Sequence, residues 1–191
     1  MKILAIAQRL LGLKRKAPKT KFGQVLQRFR IWVLIFVLLY LLLQVYPRPL
    51  FAHNRDVYGI RFYSTKVIPQ SADSLAAQIS SRIALSEFHR NGDRFTVFLC
   101  NSRTRYSLFA PFSRDSFAIC SHVGKIFVAY GDIDRNKARA FRPGRDQRSF
   151  VGVVTHEIAH SLMMKRLGFW KARQTPTWLK EGDHERVLRA V

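Results

Sequence analysis

Acidic residues are scarce in this chain, and none precedes Asp56. Against 12 Asp and Glu stand 33 Lys and Arg, a formal net charge of +21. Nine of the cations (Lys2, Arg9, Lys14, Arg15, Lys16, Lys19, Lys21, Arg28 and Arg30) come before a long apolar run. That part of the excess is explained by membrane topology rather than by a polyanionic ligand. The remaining basic surface suits anionic lipid head groups, acidic substrates or nucleic acid alike. No recognisable nucleic-acid module accompanies it, so no nucleic-acid partner is expected. Cysteine is also rare: only Cys100 and Cys120 occur, without the close C-x-x-C spacing of a zinc knuckle. Internal repeats and low-complexity tracts are missing, which excludes a solenoid. Of 191 residues, those beyond the first fifty or so make one ordinary domain and leave no room for a second catalytic one.

The apolar run is unbroken from Ile31 to Leu43, and with its flanks, residues 29–46, it predicts a transmembrane helix. Trp32 and Tyr46 stand near its ends, where amphipathic rings favour the interface, and Arg28 and Arg30 can reach back to the head groups. A core helix would show a polar face, and a cleaved signal peptide would have a shorter leader and a small residue in place of Leu50. An uncleaved anchor fits better. It leaves residues 1–28 as a basic cytoplasmic segment, able to lie along the inner leaflet. Everything after Pro47 falls on the non-cytoplasmic side, the periplasm if the source is bacterial.

Residues 47–70 mix prolines, charges and aromatics and read as a linker. A domain over 71–191 is expected to be α+β. Ser71 offers the N-cap of a helix running to about Arg90, with Leu75, Ala76, Ile79, Ile83 and Phe88 as its apolar stripe and Asn91-Gly92 as its stop. Strands are expected at 95–100, 116–120 and 125–130, a basic loop at 132–148, a helix from Ser149 to about Leu167, and a last helix from about Thr177. Cys100 and Cys120 both end expected strands. On the oxidising side, a disulfide between them would close a loop of about 20 residues and contribute on the order of 3 kcal/mol. The alternative is two buried thiols packing as small hydrophobes.

The chemistry concentrates in HEIAH, residues 156–160. Histidines at i and i+4 stand one above the other on a helix, so both imidazoles can reach one Zn2+ at about 2.0–2.1 Å. Glu157, next to the first ligand, can take a proton from metal-bound water during attack on a carbonyl and return it to the leaving amine. With six His in the chain and few Glu, chance gives this pattern only about 0.004 times. Met163 and Arg166 occupy the places where a metzincin needs Gly and His, which excludes that class.

Downstream stands TPTWLKEGDHE. HEIAH followed by PTWLKEG resembles the gluzincin metallopeptidases, in particular the short peptidase-MA-like group with an H-E-x-x-H helix and a W-L-x-E-G helix. The likeness covers roughly Phe95 onward and is specific only in these two motifs. The resemblance implies a zincin-like small twisted sheet with an active-site helix beneath it and a short C-terminal helix delivering Glu181. His156, His160 and Glu181 would hold one Zn2+, and Glu157 would be the general base and acid. Glu185, four residues after Glu181, could accept the spare N–H of a ligand histidine. The resemblance also implies that the strand Ile126 to Tyr130 lies at the sheet edge and pairs with an extended peptide. Many gluzincins have a further helical subdomain that supplies an oxyanion donor. Here the sequence continues only ten residues past Glu181, to Val191. His184, Arg186 and Tyr130 are the candidate donors, and the expectation is either an open site that admits folded proteins or bulky substrates or one that a partner chain or the membrane surface completes. The expected function is therefore a membrane-anchored zinc metallopeptidase acting on a peptide or protein outside the cytoplasm. The alternative is a non-catalytic zinc-binding domain that serves as a scaffold for an anionic envelope partner.

Overall fold

The computed structural model describes residues 20–142, 144 and 147–175. The chain divides into two units, Met1–Pro47 and Arg48–Val191. In the first, α1 (Lys21–Val45) contains a 22-residue stretch, Gln24–Val45, of mean hydropathy 2.0 with none of it buried. At 1.5 Å per residue such a stretch is about 33 Å long, enough to cross a hydrocarbon core. The helix begins earlier than the apolar run alone predicts, because Lys21 to Arg30 contains no residue that stops it.

The second unit is a mixed α+β domain. Its main sheet has the order β1-β2-β3-β5-β4, from β1 (His53–Val57), β2 (Ile60–Ser64), β3 (Phe95–Leu99), β4 (Ala118–Cys120) and β5 (Lys125–Val128). Two of these strands come from the segment expected to be a linker. Prolines suggested that reading, but they stand outside the strands, at 47, 49 and 69. Tyr58 and Gly59 both adopt positive φ, 49° and 75°, the backbone a two-residue hairpin needs to match strand twist. β2, β3 and β5 run parallel, while β1 and β4 run antiparallel to their neighbours. β5 therefore lies inside the sheet and β4 forms the edge, contrary to the expectation that Ile126 to Tyr130 would be the edge strand. Tyr130 belongs instead to a second, three-stranded sheet of β6 (Tyr130–Asp132), β7 (Lys137–Arg139) and β8 (Arg148–Ser149), drawn largely from the expected basic loop.

Strand alternation gives the main sheet two different faces. On one, Phe62, Val97 and Ile126 share a register row and join a core with Leu75, Ala76 and Ile79 of α2 (Ser71–Ile83) and with Val151, Val154, Ile158 and Leu162 of α4 (Phe150–Leu167). On the other, Tyr63, Phe98 and Phe127 form the adjacent row and stack at 5.0 Å between successive ring centroids. Phe109, from α3 (Arg103–Phe109), stacks on Phe127 at 4.3 Å, and Phe51 tilts onto Phe98 at 4.9 Å. α3 was not expected from sequence.

The N-cap position of α2 is Gln70, whose side chain makes no capping bond, and Ser71 is already helical, its hydroxyl donating to Asp134 at 2.6 Å. The helix also stops at Ile83, short of the expected Arg90. The Ser86 hydroxyl accepts the Phe88 N–H at 3.3 Å, a local bond that competes with helix continuation. The turn that follows is tied to the end of α4: Asp93 accepts from Lys165 and Arg166, each at 2.6 Å.

Cys100 and Cys120 are free thiols, not a disulfide. β5 lies between their strands: Cys100 N–H donates to Val128 O, while Cys120 pairs with Ile126. Two strand spacings, about 9.5 Å, exceed the Cα separation a disulfide spans. Burial pushes each thiol up to about 12.

Candidate metal centre

The side chains of HEIAH are positioned by α4. Ser149 caps this helix, accepting from Gly152 N–H at 3.3 Å, and Gly168 ends it at φ 80°. Its apolar positions 151, 154, 158 and 162 face the sheet, leaving His156, Glu157 and His160 on the flank, half-buried. A short helix, α5 (Phe169–Gln174), follows directly.

The two imidazoles lie edge to face, with ring centroids 4.7 Å apart and planes at 86°. Their Nε2 atoms are 3.1 Å apart. Two nitrogens at about 2.05 Å from one tetrahedral zinc would be separated by about 3.3 Å, so the pair matches a chelating arrangement to a few tenths of an ångström. The same distance also suits a hydrogen bond between neutral imidazoles. Burial, helped by the nearby Arg148 charge, holds the His156 pKa below its usual value and favours the neutral form a metal requires. Among the described residues no group of three His, Cys, Asp or Glu side chains gathers in metal-binding proximity. Glu181 and Glu185, like His184 and Arg186, lie outside the described residues.

Glu157 faces edge strand β4. Desolvation raises its carboxyl to about 7, partly offset by a hydrogen bond from the Cys120 backbone. A cleft of about 430 Å³ runs from His156 and Glu157 along α4 past Val153 and Gly152 to Ser149 and Arg148, with Ser116, Phe117 and Ala118 as its other wall. The Arg148 guanidinium lies over the Phe117 ring, 4.9 Å from its centroid. Behind this wall the buried Tyr106 hydroxyl meets Ser116 Oγ at 2.7 Å, and its pKa is raised first by burial and further by the Glu157 charge. Tyr130 does not line this cleft; it lies under Arg139, at 4.2 Å.

Sequence reasoning found the HEIAH triplet but not Arg148, Phe117 or the Cys120 backbone. Arg148 directly precedes the helix cap Ser149, which was a usable signal. The other two depend on strand order, which carried none. Compared with family models, with curated proteins and with solved structures, the chain matches none.

Proposed function

We propose that this chain is a membrane-anchored zinc metallopeptidase, held by α1 with its domain on the non-cytoplasmic side and acting there on a peptide or protein. The observation that carries this reading is the His156–His160 pair, 3.1 Å between Nε2 atoms, beside a half-buried Glu157 that, with His156, lines a cleft. His156, His160 and Glu181 would hold the metal, with Glu185 steadying a ligand histidine. The bound zinc would polarise the scissile carbonyl and acidify a water.

The chain's own residues do the rest. Glu157, with a carboxyl near 7, is matched to neutral pH for taking a proton from water and giving it to the leaving amine. The outer edge of β4 offers backbone groups to an extended peptide, and Phe117, Ala118 and Val153 give its side chains an apolar wall. The likeness of HEIAH and PTWLKEG to the gluzincins supports the same chemistry.

Glu157→Gln, compared with wild type and with His156→Ala, tests this reading. The Gln variant should retain zinc by elemental analysis and lose all cleavage of a peptide mixture read by mass spectrometry. The Ala variant should lose both. A wild-type protein that binds no zinc, or a Gln variant that still cleaves, overturns the proposal.

A further inference from the structure

Phe112 is 99% exposed, the most solvent-accessible large hydrophobic side chain described. It sits in the turn after α3, and Leu108, on the outer face of that helix, is also exposed. Cations flank it. Arg103 begins α3, and Arg114 folds back so that its Nε donates to the Pro111 carbonyl at 3.1 Å, holding the guanidinium over the turn. An aromatic ring with neighbouring arginines is the pairing that favours a lipid head-group region, where the ring enters the apolar boundary and the cations meet phosphates.

Chain connection indicates which surface is near. Phe51, where the chain enters the domain, packs on Phe98 and on Phe109, at 4.9 and 6.3 Å. Five residues, 46–50, separate it from the end of α1, and the six steps from Val45 to Phe51 span at most about 22 Å when extended. The layer made by Phe51 and α3 is therefore the part of the domain tethered to any bilayer that α1 enters. Such tethering keeps a weak contact occupied.

We infer that the turn carrying Phe112 and Arg114, with Arg103 and Leu108 of α3, contacts an anionic lipid surface. This rests on the reading of α1 as membrane-spanning. α4 packs on the opposite face of the sheet, so the contact turns the HEIAH helix away from the head groups. It would favour substrate segments standing clear of the membrane over those entering it.

The test uses the full chain in nanodiscs, with the half-buried Cys120 replaced by Ala and single cysteines placed at 112, 58 or 36 and labelled with a fluorophore; Cys100 is buried. Position 58 is the control, since Tyr58 is 64% exposed at the end of β1 away from Phe51. Head-group-labelled quencher lipid in anionic bilayers should quench position 112 about threefold more than position 58. Arg103→Gln with Arg114→Gln, or a purely zwitterionic bilayer, should remove at least about half of that excess. Equal quenching at 112 and 58, while acyl-chain quenchers reach position 36, overturns the contact and leaves the anchor standing. Protection of 112 from a water-soluble quencher without lipid quenching also overturns it, in favour of a protein contact. If position 36 is not quenched by lipid, the anchor reading fails and the contact fails with it.

Discussion

Replacing Glu157 with Gln should stabilise the metal-free domain, by an amount that depends on pH. The carboxyl has an ordinary value of 4.5 and is raised to about 7 by burial. At 1.36 kcal/mol per unit that difference corresponds to about 3 kcal/mol. The sign follows from which state ionises first. Below about pH 4.5 the group is protonated whether the chain is folded or unfolded, and it costs nothing. As pH rises toward about 7 the unfolded chain ionises while the folded one does not, so stability falls; above about 7 the full cost is present. Gln never ionises, keeps nearly the same shape, and its carbonyl can still accept the Cys120 backbone bond. Part of Glu157 remains open to the cleft, so solvent lowers the cost and 3 kcal/mol is an upper figure. Urea unfolding of the domain beginning at Arg48, with a chelator present, should show the variant equal to wild type near pH 4 and up to about 3 kcal/mol more stable near pH 8. The His156 titration is common to both proteins and cancels. A gap of the same size at both pH values, or a variant less stable near pH 8, refutes the assignment of desolvation as the cause.

Three further outcomes follow from the fold. Phe98→Ala removes a fully buried ring at the centre of the aromatic face and should cost about 3 to 5 kcal/mol in the same unfolding assay. Asp93→Asn should cost about 2 kcal/mol, because a side chain only 4% exposed loses two ion pairs to α4. Burial raises the Asp93 pKa, but Lys165, the Arg90 backbone and Arg166 outweigh it and leave the value lowered. Its contribution should therefore be present at neutral pH and vanish as pH falls through the depressed value, so wild type and Asp93→Asn converge in acid. Gly131→Ala would set a Cβ 2.8 Å from the Phe150 ring, and the resulting shift at the start of α4 should lower stability by about 1 to 3 kcal/mol.

Features with local causes could be read from the sequence. The α1 run is apolar on every side, HEIAH carries a fixed helical spacing, and Ser149 and Gly168 bracket α4 as a cap and a stop should. β3 and β5 were visible as β-branched and aromatic runs. What was missed depends on partners distant in sequence. β1 reads HNRDV, with only Val57 apolar, and it is a strand because β2 pairs with it along its whole length. α3 has only seven residues, too few for a periodic signal, and is fixed by Tyr106 and Phe109 packing inward. The disulfide expectation failed for the same reason: two strand ends looked equivalent until β5 was found between them.

The same strand order gives Glu157 its chemistry. The chain leaves β3, makes α3, lays down β4 and only then returns as β5 beside β3. β4 is thereby pushed to the edge, against the flank of α4 that bears HEIAH. Had β5 been the edge strand, the bond from the Cys120 backbone and the wall of Phe117 and Ala118 would not face the helix. A carboxylate on an open helix flank would then keep an ordinary pKa. The pentapeptide supplies two nitrogens and a carboxyl at the right spacing, but the elevated proton affinity of that carboxyl comes from burial against the edge strand. A peptide spanning α4 alone should therefore show Glu157 titrating near 4.5, whereas in the metal-free domain it should titrate near 7. Carboxyl-carbon NMR shifts measured across that range would separate the two cases. Coincident midpoints would mean that the edge strand contributes nothing to the site.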